Sequence, residues 1–140
     1  MSKPPIDPVR WQPPPVDPLP DVGSAAITVV PVPGNAPEDV VVDAEGQIWT
    51  GVDDGRIVRI SPDGETTVVG DTGGRPLGLA VAGDGRLLVC DSPRGLLAMD
   101  TGSGKFETLV EEVDGRRLKF CSNVTEMPDG ILFFSESTSA

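Results

Sequence analysis

The 140-residue sequence contains no histidine and no tyrosine. A histidine-based triad, a histidine metal cage and a histidine acid–base pair are therefore excluded, and any chemistry must use carboxylates, amides, hydroxyls or thiols. Cysteine is scarce: Cys90 and Cys121 are the only two. They are too few for a disulfide framework and match no zinc-binding spacing. Both sit among apolar residues and are expected to be reduced and packed. Positive charge is outnumbered, with 11 Lys plus Arg against 22 Asp plus Glu and a net charge of -11. Because the acids are spread along the whole chain, nucleic acid and anionic membrane are not expected as partners. No apolar run approaches the roughly 20 residues of a membrane helix. The N-terminus also lacks a signal-peptide hydrophobic region, so a cytoplasmic location is expected.

Proline and glycine are plentiful, and their placement divides the chain. Eight of the first 20 residues are proline, which fixes φ repeatedly and removes backbone donors. Residues 1–25 are therefore expected to form an extended arm outside the fold. From residue 26 the texture changes to short β-branched or leucine-rich runs broken by turns. Strands are expected at about 26–32, 38–43, 47–51, 56–60, 66–69, 77–82, 86–90, 95–99, 106–110 and 131–135. Asp-Gly occurs five times, beginning at Asp54, Asp63, Asp84, Asp114 and Asp129. Between apolar runs this pair is a strong hairpin signal, since both residues tolerate the positive φ of primed turns.

The hairpins repeat. Aligning Gly46, Gly85 and Gly130 superimposes "PEDVVVDAEGQIWTG", "PLGLAVAGDGRLLVC" and "CSNVTEMPDGILFFS", at spacings of 39 and 45 residues. A unit of that size with four strands has the period of a propeller blade. The expected fold is all-β: a partial propeller over residues 26–140, with about two and a half blades of four-stranded antiparallel sheet. Blades would run from about 38 to 69 and from 77 to 110, with a third beginning at 122. Such a piece leaves apolar blade faces uncovered, so truncation of a longer propeller and self-association through those faces are both expectations.

Four segments carry a family resemblance. They are "GNAPEDVVVDAEGQIWTGVDDGRIVRI", "GRPLGLAVAGDGRLLVCDSPRGLLAMD", "VDGRRLKFCSNVTEMPDGILFFSEST" and, more weakly, "IDPVRWQPPP". Together they resemble the six-bladed propellers of the SMP-30/gluconolactonase and strictosidine-synthase-like family, matching under half of a full member. The resemblance implies a calcium ion in the central channel beside a pocket for a small-molecule lactone or ester. It implies the N-terminal part of a calcium-dependent hydrolase of the lactonase or arylesterase type. The alternative is a non-catalytic truncated propeller, acting as a binding or remnant protein.

The resemblance also selects residues. Glu38 stands where the family's first-blade calcium glutamate stands; the alternative is a solvated acid at a turn. Asp39 corresponds to a residue that in paraoxonase-like relatives helps to hold a structural calcium. Asn123 aligns with the third-blade asparagine, a metal or substrate contact, although Ser122 and Val124 flank it where relatives have a second amide or acid. Arg75, in "GRPLGL", could bind a substrate carboxylate bidentately or bond the adjoining blade. Asp91 and Glu136 both follow apolar runs and are expected mainly to bond neighbouring loops and backbone amides. Trp49 and Phe133 are expected in the core. No residue is identified as the catalytic base.

Overall fold

A computed structural model describes residues 11–18 and 23–137. Two four-stranded antiparallel sheets and one hairpin follow each other along the chain. The first sheet contains β1 (Val40–Val42), β2 (Ile48–Gly51), β3 (Arg56–Ile60) and β4 (Thr66–Asp71), in that spatial order. The second contains β5 (Arg75–Val81), β6 (Leu87–Ser92), β7 (Gly95–Met99) and β8 (Phe106–Val110). A minor ribbon, β9 (Glu112–Val113) with β10 (Arg116–Arg117), leads to the hairpin of β11 (Cys121–Glu126) and β12 (Leu132–Glu136). This is the expected partial propeller, two blades and the first hairpin of a third.

Side-chain alternation explains why the blades stack. Successive residues of a strand point to opposite faces, and both faces of the second sheet are apolar. Leu87, Val89, Leu97 and Met99 face the first sheet and join Trp49, Ile57 and Leu79 in one core cluster. The intervening Leu88, Cys90, Leu96 and Ala98 face the other way and join Cys121 and Val124. The middle blade therefore reads as an unbroken apolar run, the pattern of a sheet covered on both sides.

The outer faces are treated differently. Val52, Val58 and Ile60 of the first blade are buried with Val32 and Ile48 packed against them. Residues 26–32, expected as a strand, form no ladder. Among the described residues this stretch has no partner strand, and Val32 serves as a cover for the first blade instead. The described part of the arm, 11–18, is likewise without regular structure, and its remaining prolines lie outside the described residues. Of the three valines after Asp39 only Val41 packs on the core, while Val40 and Val42 are 59% and 60% exposed. Phe133, expected in the core, is 58% exposed because it lies on the uncovered face of β12.

Five turns share one geometry that differs from the expected primed turns. In each, a residue donates its N–H to the carbonyl four positions on and accepts from the glycine three positions on. The pairs are Asp43 with Gln47 and Gly46, Val52 with Arg56 and Gly55, Ser61 with Glu65 and Gly64, Ala82 with Arg86 and Gly85, and Met127 with Ile131 and Gly130. Only the glycine has positive φ, between 78° and 101° across these five. The aspartate keeps ordinary φ, so these are longer loops closed by one left-handed glycine. Asp114 and Gly115, with φ of 51° and 72°, are the pair in which both residues are left-handed.

Turn aspartates add a pH-dependent contribution. Hydrogen bonding from the Arg56 guanidinium holds the Asp54 carboxyl below its usual range. The Arg86 backbone N–H and then its guanidinium do the same for Asp84, and Ser103 does so for Asp100. A carboxyl whose folded value is depressed stabilises the fold above its unfolded value and loses that contribution as pH falls through the folded one. Urea midpoints are therefore expected to fall below about pH 4, and the fall should shrink when Asp54, Asp84 and Asp100 are all changed to Asn.

Candidate functional site

The first strands of the three blades lie side by side, β1 packed on β5 and β5 on β11. The repeat brings Asp39, Gly78 and Asn123 to one level at the beginnings of these strands, with Glu38 one residue earlier.

Glu38 reaches the second blade. Its Oε2 accepts from Arg75 Nη2 at 3.4 Å, and both side chains are about half exposed. A pair so open to solvent contributes about 0–1 kcal/mol, which leaves Glu38 able to exchange this partner for another. Arg75 thus bonds the adjoining blade, one of the two roles the sequence allows it.

Asp39 is engaged on both oxygens. Oδ1 accepts from the Val40 N–H at 2.8 Å and Oδ2 from the Leu79 N–H of the next blade at 2.8 Å. Its carbonyl also accepts from the buried Thr50 hydroxyl at 2.7 Å. Leu79 follows an irregularity in the β5–β6 ladder between Pro76 and Leu79, so its amide faces the neighbouring blade. The carboxylate gives this amide its acceptor across the blade seam. Asp39→Ala leaves a half-buried amide without its acceptor, and stability should fall by about 1–3 kcal/mol. Denaturant unfolding, with faster hydrogen exchange at Leu79, checks this.

Asn123 lies in a second irregularity, between Cys121 and Val124 of β11. Its N–H donates to Ser135 Oγ at 3.2 Å. Its Oδ1 lies 2.9 Å from the place a Cβ on Gly78 would take, and its Cα 2.7 Å from there. Only a glycine at position 78 admits this approach, so β5 is the shelf on which Asn123 rests. Glu38 precedes β1 and Asn123 lies on β11, with β5 packed against both strands.

The two remaining acids act locally. Glu136 accepts from the backbone N–H groups of Lys119 and Phe120 at 3.2 and 2.9 Å. Asp91 is fully buried, and its Oδ1 accepts from the Arg94 N–H at 3.3 Å. Its Oδ2 has no hydrogen-bond partner among the described residues. Arg94 itself donates to the Thr72 carbonyl across the seam between the first two blades. No sequence signal marks Arg94 or Thr50, because their bonds are made to backbone groups distant along the chain.

Among the described residues no three His, Cys, Asp or Glu side chains converge as a metal cage. A donor set of one carboxylate and one amide oxygen suits a hard cation such as calcium, which takes six to eight oxygens. Glu38 and Asn123 fit as part of such a set. Asp39 would have to release two N–H bonds to join them. At the other end of the first strands, a cleft of about 200 Å³ is lined by Asp43, Trp49, Gly83 and Arg86, among others. It contains none of Glu38, Asp39, Arg75 and Asn123.

A family model described as strictosidine synthase-like, N-terminal, matches residues 25–60. The protein strictosidine synthase-like 4 of Arabidopsis thaliana is 38% identical over 111 residues, covering 75% of this chain and 30% of that protein. An adipocyte plasma membrane-associated protein of Gallus gallus is 32% identical over 116 residues, covering 71% and 28%. Among solved structures, a gluconolactonase from Xanthomonas campestris superimposes with a TM-score of 0.60 at 25% identity, over 66% of this chain and 32% of that one. A putative gluconolactonase gives 0.66 at 23% identity, over 76% and 38%. The chain thus spans about a third of the length of the proteins it matches.

Proposed function

Because the chain belongs to the strictosidine synthase-like and gluconolactonase family as a partial propeller, we propose that it forms the leading blades of a calcium-dependent hydrolase of lactones or aryl esters. The observation that carries this reading is the polar level at the starts of β1, β5 and β11, where Glu38, Arg75 and Asn123 stand on adjoining blades.

In this reading Glu38 and Asn123 contribute oxygens to a cation near the propeller axis. A calcium ion bound there supplies Lewis-acid polarisation of the ester carbonyl and charge for the developing oxyanion. Arg75 holds Glu38 in the absence of the cation. When Glu38 turns to the axis, the guanidinium is released to bind an anionic group of the substrate. Asp39 keeps the first two blades in register and so fixes where Glu38 begins.

The test is hydrolysis by a six-bladed protein carrying this sequence as its first blades. Activity toward lactones or aryl esters should disappear in a chelator and return with calcium. Hydrolysis that survives chelation, or none toward either class with calcium present, would reject the reading.

A further inference from the structure

We propose that Cys90 and Cys121 are a redox-active pair that closes into a disulfide joining the second blade to the third. The two residues come from different sheets, Cys90 from β6 and Cys121 from the first position of β11, and these strands pack on each other. Both are fully buried free thiols in one cluster with Leu88, Leu96, Ala98 and Val124. Both thiols lie in that one cluster on packed strands, and each is the other's strongest electrostatic neighbour, so they face each other across the blade seam. The sequence supplies no third cysteine to compete for either of them.

The surroundings assign the two thiols different parts. The Cys90 thiol is pushed up by its bond to Cys121, by burial and by the nearby charges of Cys121, Asp91 and Glu136. The Cys121 thiol is held down by its interaction with Cys90, and the Asp91 N–H acts in the same direction, against burial and the Glu136 and Asp91 charges. Cys121, at the first position of the third hairpin, is placed to attack, and Cys90, inside the second sheet, to resolve. With a small disulfide such as oxidised glutathione, the Cys121 sulfur attacks one glutathione sulfur and the first glutathione thiolate leaves. Cys90 then loses its proton to solvent and attacks the Cys121 sulfur of the mixed disulfide, releasing the second glutathione. Two protein thiols are oxidised and one small disulfide is reduced.

Access comes through the third hairpin. β11 pairs only with β12 among the described strands, and the far side of that hairpin exposes Met127, Ile131 and Phe133. In the 140-residue chain tested below, a two-stranded element with one face open to solvent opens at less cost than the four-stranded sheets before it. Cys121, at its first position, is uncovered when it does.

The experiment treats the native chain with oxidised glutathione, quenches with acid, unfolds it, alkylates the remaining thiols and measures intact mass and linked peptides. The expected product is a monomer lighter by two hydrogens, taking up no alkylating agent, with residues 90 and 121 in one cross-linked peptide pair. Its melting midpoint should exceed that of the reduced chain by more than about 5 °C, since the bond closes a loop of about 30 residues. In Cys90→Ser the reaction should stop at a single glutathione adduct on Cys121. Two alkylatable thiols remaining after an exposure that fully oxidises the urea-unfolded chain would overturn the proposal. A disulfide between copies, or a lowered midpoint in the oxidised monomer, would do the same.

Discussion

Gly78→Val is expected to destabilise the chain by about 3 kcal/mol and to loosen the third hairpin from the second blade. A Cβ at this position would stand 2.7 Å from Asn123 Cα and closer still to the Ser122 carbonyl. Those are backbone atoms, which cannot rotate aside, so β11 must move off β5 and the cluster around Leu88, Cys90 and Val124 must open. Overpacking of this kind costs about 1–3 kcal/mol by itself, and the opened cluster adds lost apolar burial. Gly78 is not among the glycines with positive φ, so the effect comes from space and not from backbone strain. Gly85→Ala is the contrasting change: nothing lies within 4 Å of its Cβ, but its φ is +85°. It should cost about 1 kcal/mol through conformation alone. Urea denaturation of both variants measures the difference. A Gly78→Val chain as stable as the parent would mean that the seam is not packed as described.

Glu38→Gln has the largest expected effect on activity. In the six-bladed protein, hydrolysis should fall by about 100-fold or more, because on the proposed reading the change would remove a negative charge from the ion's site. Stability should hardly move, since the exposed Glu38–Arg75 pair contributes only about 0–1 kcal/mol. Arg75→Gln should behave otherwise, raising KM for anionic substrates with a smaller change in kcat. A Glu38→Gln protein with full activity would remove Glu38 from the site.

Much of this architecture is visible in the residues themselves. The runs at 56–60, 95–99 and 106–110 coincide with β3, β7 and β8, because short apolar runs between turn glycines leave little choice. The repeat also locates the blades, since each hairpin closes on a left-handed glycine at the aligned position. What escapes the sequence is decided by partners far along the chain. Residues 26–32 have strand character, yet a strand needs a neighbour, and Val32 is used as a lid over the cluster of Val52, Val58 and Ile60 instead. Phe133 has the composition of a core residue and the alternation that turns it to the uncovered face.

The acidic pair before the valines shows the same division. Glu38 and Asp39 stand just before β1, and which of them meets backbone depends on Leu79, 40 residues later. The irregularity that presents the Leu79 amide arises in the β5–β6 ladder and leaves no mark on the first blade's sequence. Asp39 closes the seam, and Glu38 remains half exposed beside Arg75.

Calorimetric titration of the six-bladed protein with calcium, in its parent form and as Glu38→Gln with Asn123→Ala, tests the central claim most directly. The parent should bind calcium, and the double variant should bind it at least about 100-fold more weakly while keeping its melting midpoint within a few degrees. Equal calcium affinity in the two proteins, or no binding by either, would contradict the assignment of Glu38 and Asn123 to a metal-dependent site.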